Sequence, residues 1–323
     1  MSAGLIINPK SAGRNEKGLA LARMLADTPA QVVLLERFEQ LGEALRDFSH
    51  KGINALFISS GDGTIQEIQT RIAEDAELFP TPLALGLLPH GSTNMTAADI
   101  GFRDTSLRHQ RDYIQFGGWR AGQARTTTRP TLRVANPADG KPRHGMFLGS
   151  GAIAAATIHC QRAFNDKGVR GQRAAFATLM SALRKALFSA PASPDDPERL
   201  DRPFPMTIRR GDEVLADGLQ LAMLATTLRK LVLGARPFWG GAQEGTMRIS
   251  IFGHPPPSLP RWLPFVLYGR ETRRMPPSMQ SLCADEIAVR TPSGFILDGE
   301  AFDPPADAPL RITTGTDFTY LLG

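Results

Sequence analysis

The chain has 323 residues, of which 42% are hydrophobic and 21% charged, a composition typical of a globular protein long enough for two domains. No apolar run reaches the ~18 residues of a membrane-spanning helix, no basic segment precedes the N-terminal apolar stretch as in a signal peptide, and two cysteines exclude a disulfide scaffold. The formal net charge of +5 favours an anionic partner, such as a nucleotide, a nucleic acid or a membrane, and we expect an intracellular protein.

Apolar runs alternate with helix-spaced segments over the first hundred residues. Strands are predicted at 4–7, 31–35, 55–58 and 83–88, and helices at 15–27, 41–51 and 66–77. This alternation is typical of a parallel sheet covered by helices on both faces. Three stretches rich in Gly, Pro and Ser follow strands, at residues 8–13, 59–64 and 89–94. Ligands bind such sheets beyond the carboxyl ends of the strands, so the pattern predicts a ligand site at that edge.

After about residue 125 the pattern changes to short strands separated by turns and prolines, as in an antiparallel sandwich. These strands are predicted at 131–135, 206–209, 219–225, 247–252, 286–290 and 310–313, with a helix at 173–187 and a proline-rich loop at 189–205. The predicted fold class is therefore α/β plus all-β. It consists of an N-terminal parallel-sheet α/β domain, residues 1–125, and a C-terminal antiparallel β-sandwich, residues 126–304.

The segment Gly61-Asp62-Gly63-Thr64 stands where a buried strand ends and a helix follows, with Thr64 able to cap that helix. Glycines let a phosphate approach backbone N–H groups, and a helix N-terminus adds partial positive charge. Asp62 would repel a phosphate unless a cation lay between them, so the segment indicates a nucleotide site that works with Mg²⁺. The alternative is an Asx turn that leads into a helix.

Four short motifs occur in order along the chain: INPKSAG (7–13), SGDGT (60–64), LPHGSTN (88–94) and LDGE (297–300). Together they resemble the diacylglycerol kinase catalytic-domain family, which includes bacterial soluble lipid kinases, sphingosine kinases and ceramide kinases. The resemblance implies ATP bound in a cleft between the two domains. It also implies that the C-terminal segment, about residues 305–323, packs back onto the nucleotide-binding domain.

The resemblance also implies roles for individual residues. Asp62 would organise Mg²⁺ and its waters, and Glu300, supported by Asp298, would receive the proton of the acceptor hydroxyl. We expect the two carboxylates to point the same way, because side chains two apart on an extended stretch do so; the alternative is an exposed turn. The nucleotide would contact Asn8, Pro9, Lys10, Ser11, Ala12, Gly61, Asp62, Gly63, Thr64, Ile65, Gln66, Glu67 and Ser92.

A second metal site is implied at the segment 238–246, where family members end in Asp-Asp-Gly. This chain has Gln243-Glu244-Gly245, so Glu244 would bind the metal with the carbonyls of Gly241 and Thr246. Other departures from the family pattern are Ser60 for glycine, Gln66 for asparagine, Ser92 for threonine and Met95 for aspartate. Met95 stands near the expected polar head of the acceptor, which puts the identity of the acceptor in question.

The segment 260–274 predicts contact with a membrane. Trp262 and Tyr268 bracket an apolar run, and arginines, including Arg273 and Arg274, stand outside it, as in interfacial segments on anionic lipid. The alternative is a helix packed on the sandwich. We expect a cytoplasmic protein associated peripherally with the inner face of the membrane, with a homodimer possible. No basic motif interleaved with aromatics indicates nucleic-acid binding.

The motifs together predict an ATP- and Mg²⁺-dependent kinase that phosphorylates a hydroxyl of a long-chain lipid, either ceramide or a sphingoid base, or diacylglycerol. An NAD kinase-like enzyme is one alternative, since it shares the Gly-Asp-Gly-Thr motif; the Asp298-Gly299-Glu300 motif and the 260–274 segment argue against it. A catalytically inactive lipid- or nucleotide-binding regulator is the other, suggested by Ser60, Met95 and Gln243.

Overall fold

A computed structural model describes residues 2–167, 199, 202–241, 243–255 and 258–323. The chain divides into two compact units. The first, which we call the α/β unit, consists of Met1–Thr131 and Gly315–Gly323; the second, the β unit, is Leu132–Thr314. The predicted helix at 173–187 and most of the predicted loop at 189–205 lie outside the described residues.

The α/β unit contains a parallel sheet with strand order β17–β4–β3–β1–β2. Helices and strands alternate along its chain. Its elements are β1 Ser2–Ile7, α1 Glu16–Met24, β2 Gln31–Leu34, α2 Leu41–His50, β3 Ile53–Ser60, α3 Asp62–Glu74, β4 Ala84–Pro89, α4 Met95–Ile100, α5 Leu107–Phe116 and the first part of β5 Thr126–Val134, with 3₁₀ turns at Ser11–Gly13, Phe38–Gln40 and Gly118–Ala121.

The core of the α/β unit forms around the central strands. Leu5, Ile7 and Phe57 are fully buried, and the Phe57 ring meets the Trp119 ring edge-on, with centroids 5.8 Å apart. The last residues of the chain complete the sheet, because Thr319 pairs with Ala84 in parallel register. Parallel pairing of β1 with β3 and of β3 with β4 places the carboxyl ends of these three strands side by side at one edge.

The β unit consists of antiparallel strands in two layers. Its elements are β6 Arg143–Gly145, β7 Phe147–Gly151, α6 Ala152–Lys167, β8 Phe204–Pro205, β9 Thr207–Arg210, β10 Glu213–Ala216, β11 Leu219–Thr226, a 3₁₀ turn Val232–Gly234, β12 Met247–Gly253, α7 Leu259–Tyr268, β13 Met279–Ala284, β14 Glu286–Arg290, β15 Phe295–Leu297, β16 Glu300–Phe302 and the first part of β17 Leu310–Leu321.

One layer of the β unit has the order β10–β9–β14–β17, with β5 beside β17 and β6 beside β5, and the other has the order β13–β12–β11–β7–β15–β16. Apolar side chains from both layers form one buried cluster, in which Ile208 and Ile287 come from the first layer and Met223 and Ile249 from the second. The predicted fold class, α/β plus all-β, is confirmed. No helix in the described part of the chain is long and apolar enough to cross a bilayer.

Candidate functional site

The segment Gly61–Thr64 forms the start of helix α3. The helix begins at Asp62, and Gly61 precedes it with extended backbone angles of φ −87° and ψ 175°. The predicted start at residue 66 is wrong, because glycine lowers helix propensity locally while the tertiary contacts below hold this turn. The first N–H groups of a helix have no acceptor within it, so this turn presents backbone donors and the positive end of a helix dipole.

Thr64 links three segments and does not cap the helix as predicted. Its hydroxyl oxygen accepts hydrogen bonds from Asn8 Nδ2 at 3.1 Å and from Ser60 Oγ at 2.7 Å. Asn8 follows β1 and Ser60 ends β3, whereas Thr64 lies in the first turn of α3. These bonds hold the first turn of α3 against the ends of two strands.

Asp62 binds the N-terminus of the next helix in the unit. Its side chain is 8% exposed, and its two carboxylate oxygens accept the N–H groups of Met95 and Thr96, each at 3.0 Å. Those groups open α4, whose preceding residue, Asn94, makes no side-chain cap. An ionised carboxylate has about four lone-pair sites, so Asp62 keeps acceptor capacity beyond these two bonds. Its role toward a metal stays a prediction.

The backbones of Gly61 and Gly91 approach each other closely. A Cβ atom on Gly91 would lie 2.3 Å from Gly61 Cα, and a Cβ on Gly61 would lie 3.4 Å from Ser11 Oγ. Asn94 supports this approach from a left-handed conformation, φ +51°, by accepting from Gly91 N at 2.6 Å and donating to Gly91 O at 2.8 Å. The structure therefore brings together the three Gly/Pro/Ser-rich stretches at one edge of the sheet.

A buried polar network lies beneath these stretches. Ser59 Oγ is 2.8 Å from His90 Nδ1, and Asn15 Nδ2 donates to Ser59 Oγ at 3.0 Å and to Asn8 O at 3.2 Å. Burial, with the charge of Lys17 acting in the same direction, lowers the pKa of His90 to about 4, so its ring is neutral near pH 7. The sequence analysis missed Asn15 and Ser59. The sequence offered one signal for them. Each is a polar residue at the end of a predicted element, Asn15 at the start of a helix and Ser59 directly after a strand.

In the β unit, Asp298 and Glu300 occupy a hairpin rather than an extended stretch. Asp298 and Gly299 are its two turn residues, with φ +49° and +92°, and Leu297 pairs with Glu300 across the turn. The expectation that the two carboxylates point the same way from an extended strand is therefore wrong. The two-residue Asp-Gly turn is typical of hairpins whose central residues both have positive φ.

The two carboxylates of this hairpin differ in environment. Asp298 is 5% exposed, and its oxygens accept the N–H groups of Met146 and Phe147, each at 2.9 Å. Glu300 is exposed, and its carboxylate forms no hydrogen bond or ion pair with the described residues. Asp298 thus fixes the hairpin to the start of β7, whereas Glu300 is the carboxylate available to a ligand.

The segment predicted to bind a second metal, residues 238–246, directly precedes β12. Glu244 and Thr246 are exposed, and Gly241 has φ +70°. Thr246 N donates to Asp285 Oδ1 at 2.8 Å, and this bond holds the pKa of Asp285 below its usual value. Among the described residues, no group of three His, Cys, Asp or Glu side chains is placed to hold a metal. Binding by Glu244 with the carbonyls of Gly241 and Thr246 stays a prediction.

The first part of the chain matches a known protein family. Residues 2–118 match the family model of the diacylglycerol kinase catalytic domain. The resemblance seen in the sequence is confirmed over this segment, which contains three of the four motifs. No curated protein matches the chain in sequence.

Solved structures extend the likeness in fold to the whole chain. A Bacillus anthracis strain Sterne structure named as a diacylglycerol kinase has 12% identity and a TM-score of 0.61, covering 100% of this chain and 97% of that one. Another from the same strain, named as a candidate diacylglycerol kinase, has 14% identity and a TM-score of 0.63 over the same shares. At this level of identity the likeness concerns the fold.

Within the segment that matches the diacylglycerol kinase model, the predicted nucleotide-binding residues differ in accessibility. Lys10, Ala12 and Ser92 are exposed, whereas Ile65 and Gln66 are 1% and 3% exposed. Of the remaining residues, Asn8, Pro9, Ser11, Gly61, Gly63 and Glu67 are half-buried, and Asp62 and Thr64 are buried. The side chains of Ile65 and Gln66 belong to the core, so only their backbone atoms could contact a nucleotide.

The predicted membrane segment forms helix α7 and the loop after it. One face of α7 packs on the β unit, where Val266 lies in a cluster with Trp239 and Met279. The other face exposes Phe265 and Tyr268. The alternative of a helix packed on the sandwich therefore describes one face of α7, and contact with lipid through the other stays a prediction.

Arg273 has a structural role that the sequence did not indicate. Its guanidinium stacks over the Trp239 ring at 5.2 Å and donates to five backbone carbonyls at 2.6–3.1 Å, those of Arg236, Phe238, Val266, Gly269 and Arg270. Burial lowers the pKa of Arg273. These bonds occupy both terminal nitrogens of its guanidinium, so Arg273 holds α7 in place rather than presenting a free charge to lipid.

Proposed function

We propose that the protein is a lipid kinase that transfers the γ-phosphate of ATP to a hydroxyl group of a long-chain lipid. The observation that carries the proposal is the meeting of Gly61, Gly91 and Ser11 at the N-terminus of α3, within the segment that matches the diacylglycerol kinase catalytic domain. The same match favours a lipid kinase over an NAD kinase.

The chemistry of this edge suits phosphate binding. The first turn of α3 presents backbone N–H donors and a helix dipole, and the glycines on either side leave the backbone open to a ligand. Exposed Lys10, on the neighbouring loop, adds a positive charge that a polyphosphate would need. The neutral His90 network keeps the loops together without adding charge.

The residues of this edge fit Mg²⁺ that is held mainly by the nucleotide. Mg²⁺ keeps several waters and takes one or two protein carboxylates together with substrate phosphates. Asp62 is a carboxylate with lone pairs left after it binds two N–H groups, so it would hold such an ion through water. The ion would neutralise charge on the phosphates that are bound at the helix N-terminus.

Glu300 is the group we propose to receive the proton of the acceptor hydroxyl. Its carboxylate is exposed and engages none of the described residues, whereas both oxygens of Asp298 are engaged by backbone N–H groups. A general base needs a free lone pair within hydrogen-bond reach of the hydroxyl. Asp298 would act indirectly, by fixing the turn that presents Glu300.

We propose ceramide or a sphingoid base, or diacylglycerol, as the acceptor. Position 95 supports a departure from a plain diacylglycerol kinase, since Met95 is 7% exposed and offers only its N–H, to Asp62. A head group that relies on a carboxylate at this position would find none.

The proposal is tested by transfer of labelled phosphate from ATP, with Mg²⁺, to diacylglycerol, ceramide, sphingosine and NAD in detergent micelles. We expect one lipid to be labelled by the wild-type protein and by the control variant Asp303→Asn, which alters another exposed carboxylate three residues away. Glu300→Gln should lower the rate of labelling by about a hundredfold or more while ATP binding persists. Label on NAD alone, or ATP binding without transfer to any lipid, would contradict the lipid-kinase proposal.

A further inference from the structure

Two neighbouring pieces of the β unit expose large apolar side chains. The loop 231–235 exposes Val232 and Leu233 at 46% and 78%, and helix α7 exposes Phe265 and Tyr268 at 53% and 60%. The pieces are joined directly, because Arg236 N donates to Leu267 O at 2.6 Å. We call these four side chains the apolar surface. Exposed apolar side chains that lie on neighbouring segments mark interaction sites.

Leu233 is held in a strained conformation. Its backbone has φ +56° and ψ +22°, in the left-handed region that glycine and asparagine adopt easily and leucine does not. The loop is closed by a hydrogen bond from Leu231 N to Ala235 O at 2.8 Å. Strain at an exposed side chain gains nothing in packing within the chain, so it indicates that Leu233 contacts a partner outside the chain.

The two segments that carry the apolar surface are rich in basic residues. Residues 229–236 and 258–275 contain seven Lys and Arg and a single acid, Glu271, whereas the whole chain has 37 basic and 32 acidic residues. Lys230, Arg270 and Arg274 are exposed and take part in no ion pair formed by the described residues. Their partner is therefore expected to be anionic.

The surface is also rigid on its inner side. Arg273 donates to the carbonyls of Arg236 and Phe238, and so it ties α7 to the residues that directly follow the loop 231–235. An apolar centre with aromatic side chains, a basic rim and a fixed backbone is the arrangement of a segment that lies in the interface of a bilayer.

We propose that the apolar surface docks on an anionic lipid bilayer, with Leu233 and Phe265 inserted among the acyl chains and Lys230, Arg270 and Arg274 on the head groups. The proposed function supplies only the reason for docking, because a lipid acceptor resides in a membrane. Docking itself needs neither ATP nor catalysis. It extends the predicted 260–274 segment to a loop that sequence reasoning did not connect with it.

The test is co-sedimentation with vesicles of phosphatidylcholine, with and without phosphatidylglycerol, in the absence of ATP. We expect the wild-type protein to bind only the anionic vesicles, and less at high salt. Leu233→Asn should weaken binding about tenfold, because a buried leucine contributes strongly to insertion, while its melting temperature stays equal or rises, because asparagine tolerates the left-handed conformation. Each of the substitutions Lys230→Gln and Arg274→Gln removes one positive charge and should weaken vesicle binding about fivefold.

The matched control is Phe116→Ser, which removes an exposed aromatic, 72% accessible, from the α/β unit; we expect unchanged vesicle binding. Equal binding by wild type and Leu233→Asn, or no binding to anionic vesicles, would overturn the proposal. So would a wild-type dimer that Leu233→Asn dissociates, since the surface would then join two copies of the chain. Transfer to a soluble short-chain acceptor, measured separately, reports on the kinase proposal alone.

Discussion

Asp62 in the α/β unit and Asp298 in the β unit make the same contact in different settings. Each is almost fully buried, and each carboxylate accepts two successive backbone N–H groups, those of Met95 and Thr96 or those of Met146 and Phe147. Asp62 does so from the first turn of a helix, whereas Asp298 does so from a left-handed turn position.

Asp62 and Asp298 thus hold the backbone, whereas other groups beside them remain available to a ligand. In the α/β unit the groups that remain available beside Asp62 are the backbone N–H donors at the start of α3, which suit phosphate binding. In the β unit the group left open is the carboxylate of Glu300, which suits proton acceptance. A buried carboxylate in a motif thus positions its neighbours, and those neighbours present the chemistry.

The largest effect is expected where the available acid is removed. Glu300→Gln should lower kcat about 10²- to 10⁴-fold, the usual contribution of a general base, with unchanged unfolding free energy. Asp298→Asn should instead reduce stability, because one N–H loses a charged acceptor. Steady-state kinetics and urea denaturation of both variants measure the two effects. Equal losses of stability in the two would erase the distinction we draw.

Asp62→Ala should destabilise the fold by about 3 to 5 kcal/mol, because two hydrogen bonds to a charged acceptor are lost and the opening N–H groups of α4 stay buried. Asp62→Asn retains one acceptor oxygen and should recover part of that stability. If Asp62 also organises Mg²⁺, both variants lose phosphate transfer alike. Transfer that returns with stability in Asp62→Asn would show a purely structural aspartate.

His90 should make stability depend on pH. Its pKa is about 4 in the fold and about 6.5 when unfolded, so the unfolded chain binds more protons between these values, and stability falls as pH decreases from 6.5 to 4. The contribution lost is about 3 kcal/mol, because the pKa of His90 lies at about 4 rather than 6.5 and each pKa unit corresponds to about 1.4 kcal/mol. His90→Asn should flatten the wild-type slope in this window, as urea titrations at several pH values would measure. Parallel profiles would mean that His90 titrates normally.

Gly91→Ala should weaken ATP binding about tenfold, because the added methyl group clashes with the Gly61 backbone and separates the two strand ends. Gly118→Ala is the control, since its added Cβ meets other atoms at 3.5 Å or more. Calorimetric titration with ATP measures both. Unchanged affinity in Gly91→Ala would remove this edge from the phosphate site.

The sequence by itself determined the alternation of elements, the succession of an α/β and an all-β fold class along the chain, and the neighbourhood of the glycine-rich stretches. Each follows from local periodicity, because strands such as Ile53–Ser60 and helices such as Leu41–His50 carry their burial pattern within a few residues. Parallel pairing of adjacent strands then places their ends together.

Only the tertiary structure decided how the site residues are used. Asp62 finds its donors 33 residues away, Asp298 finds one 152 residues away, and Arg273 binds carbonyls up to 37 residues distant. Distant contacts likewise start α3 at a Gly-Asp-Gly segment, and pairing with β14, β5 and β4 continues β17 through the polar residues 313–317. The position of a hydrogen-bonding group in the sequence carries no periodic signal of its distant partner. Only the folded chain therefore distinguishes Asp298, which binds the backbone, from Glu300, which stays exposed.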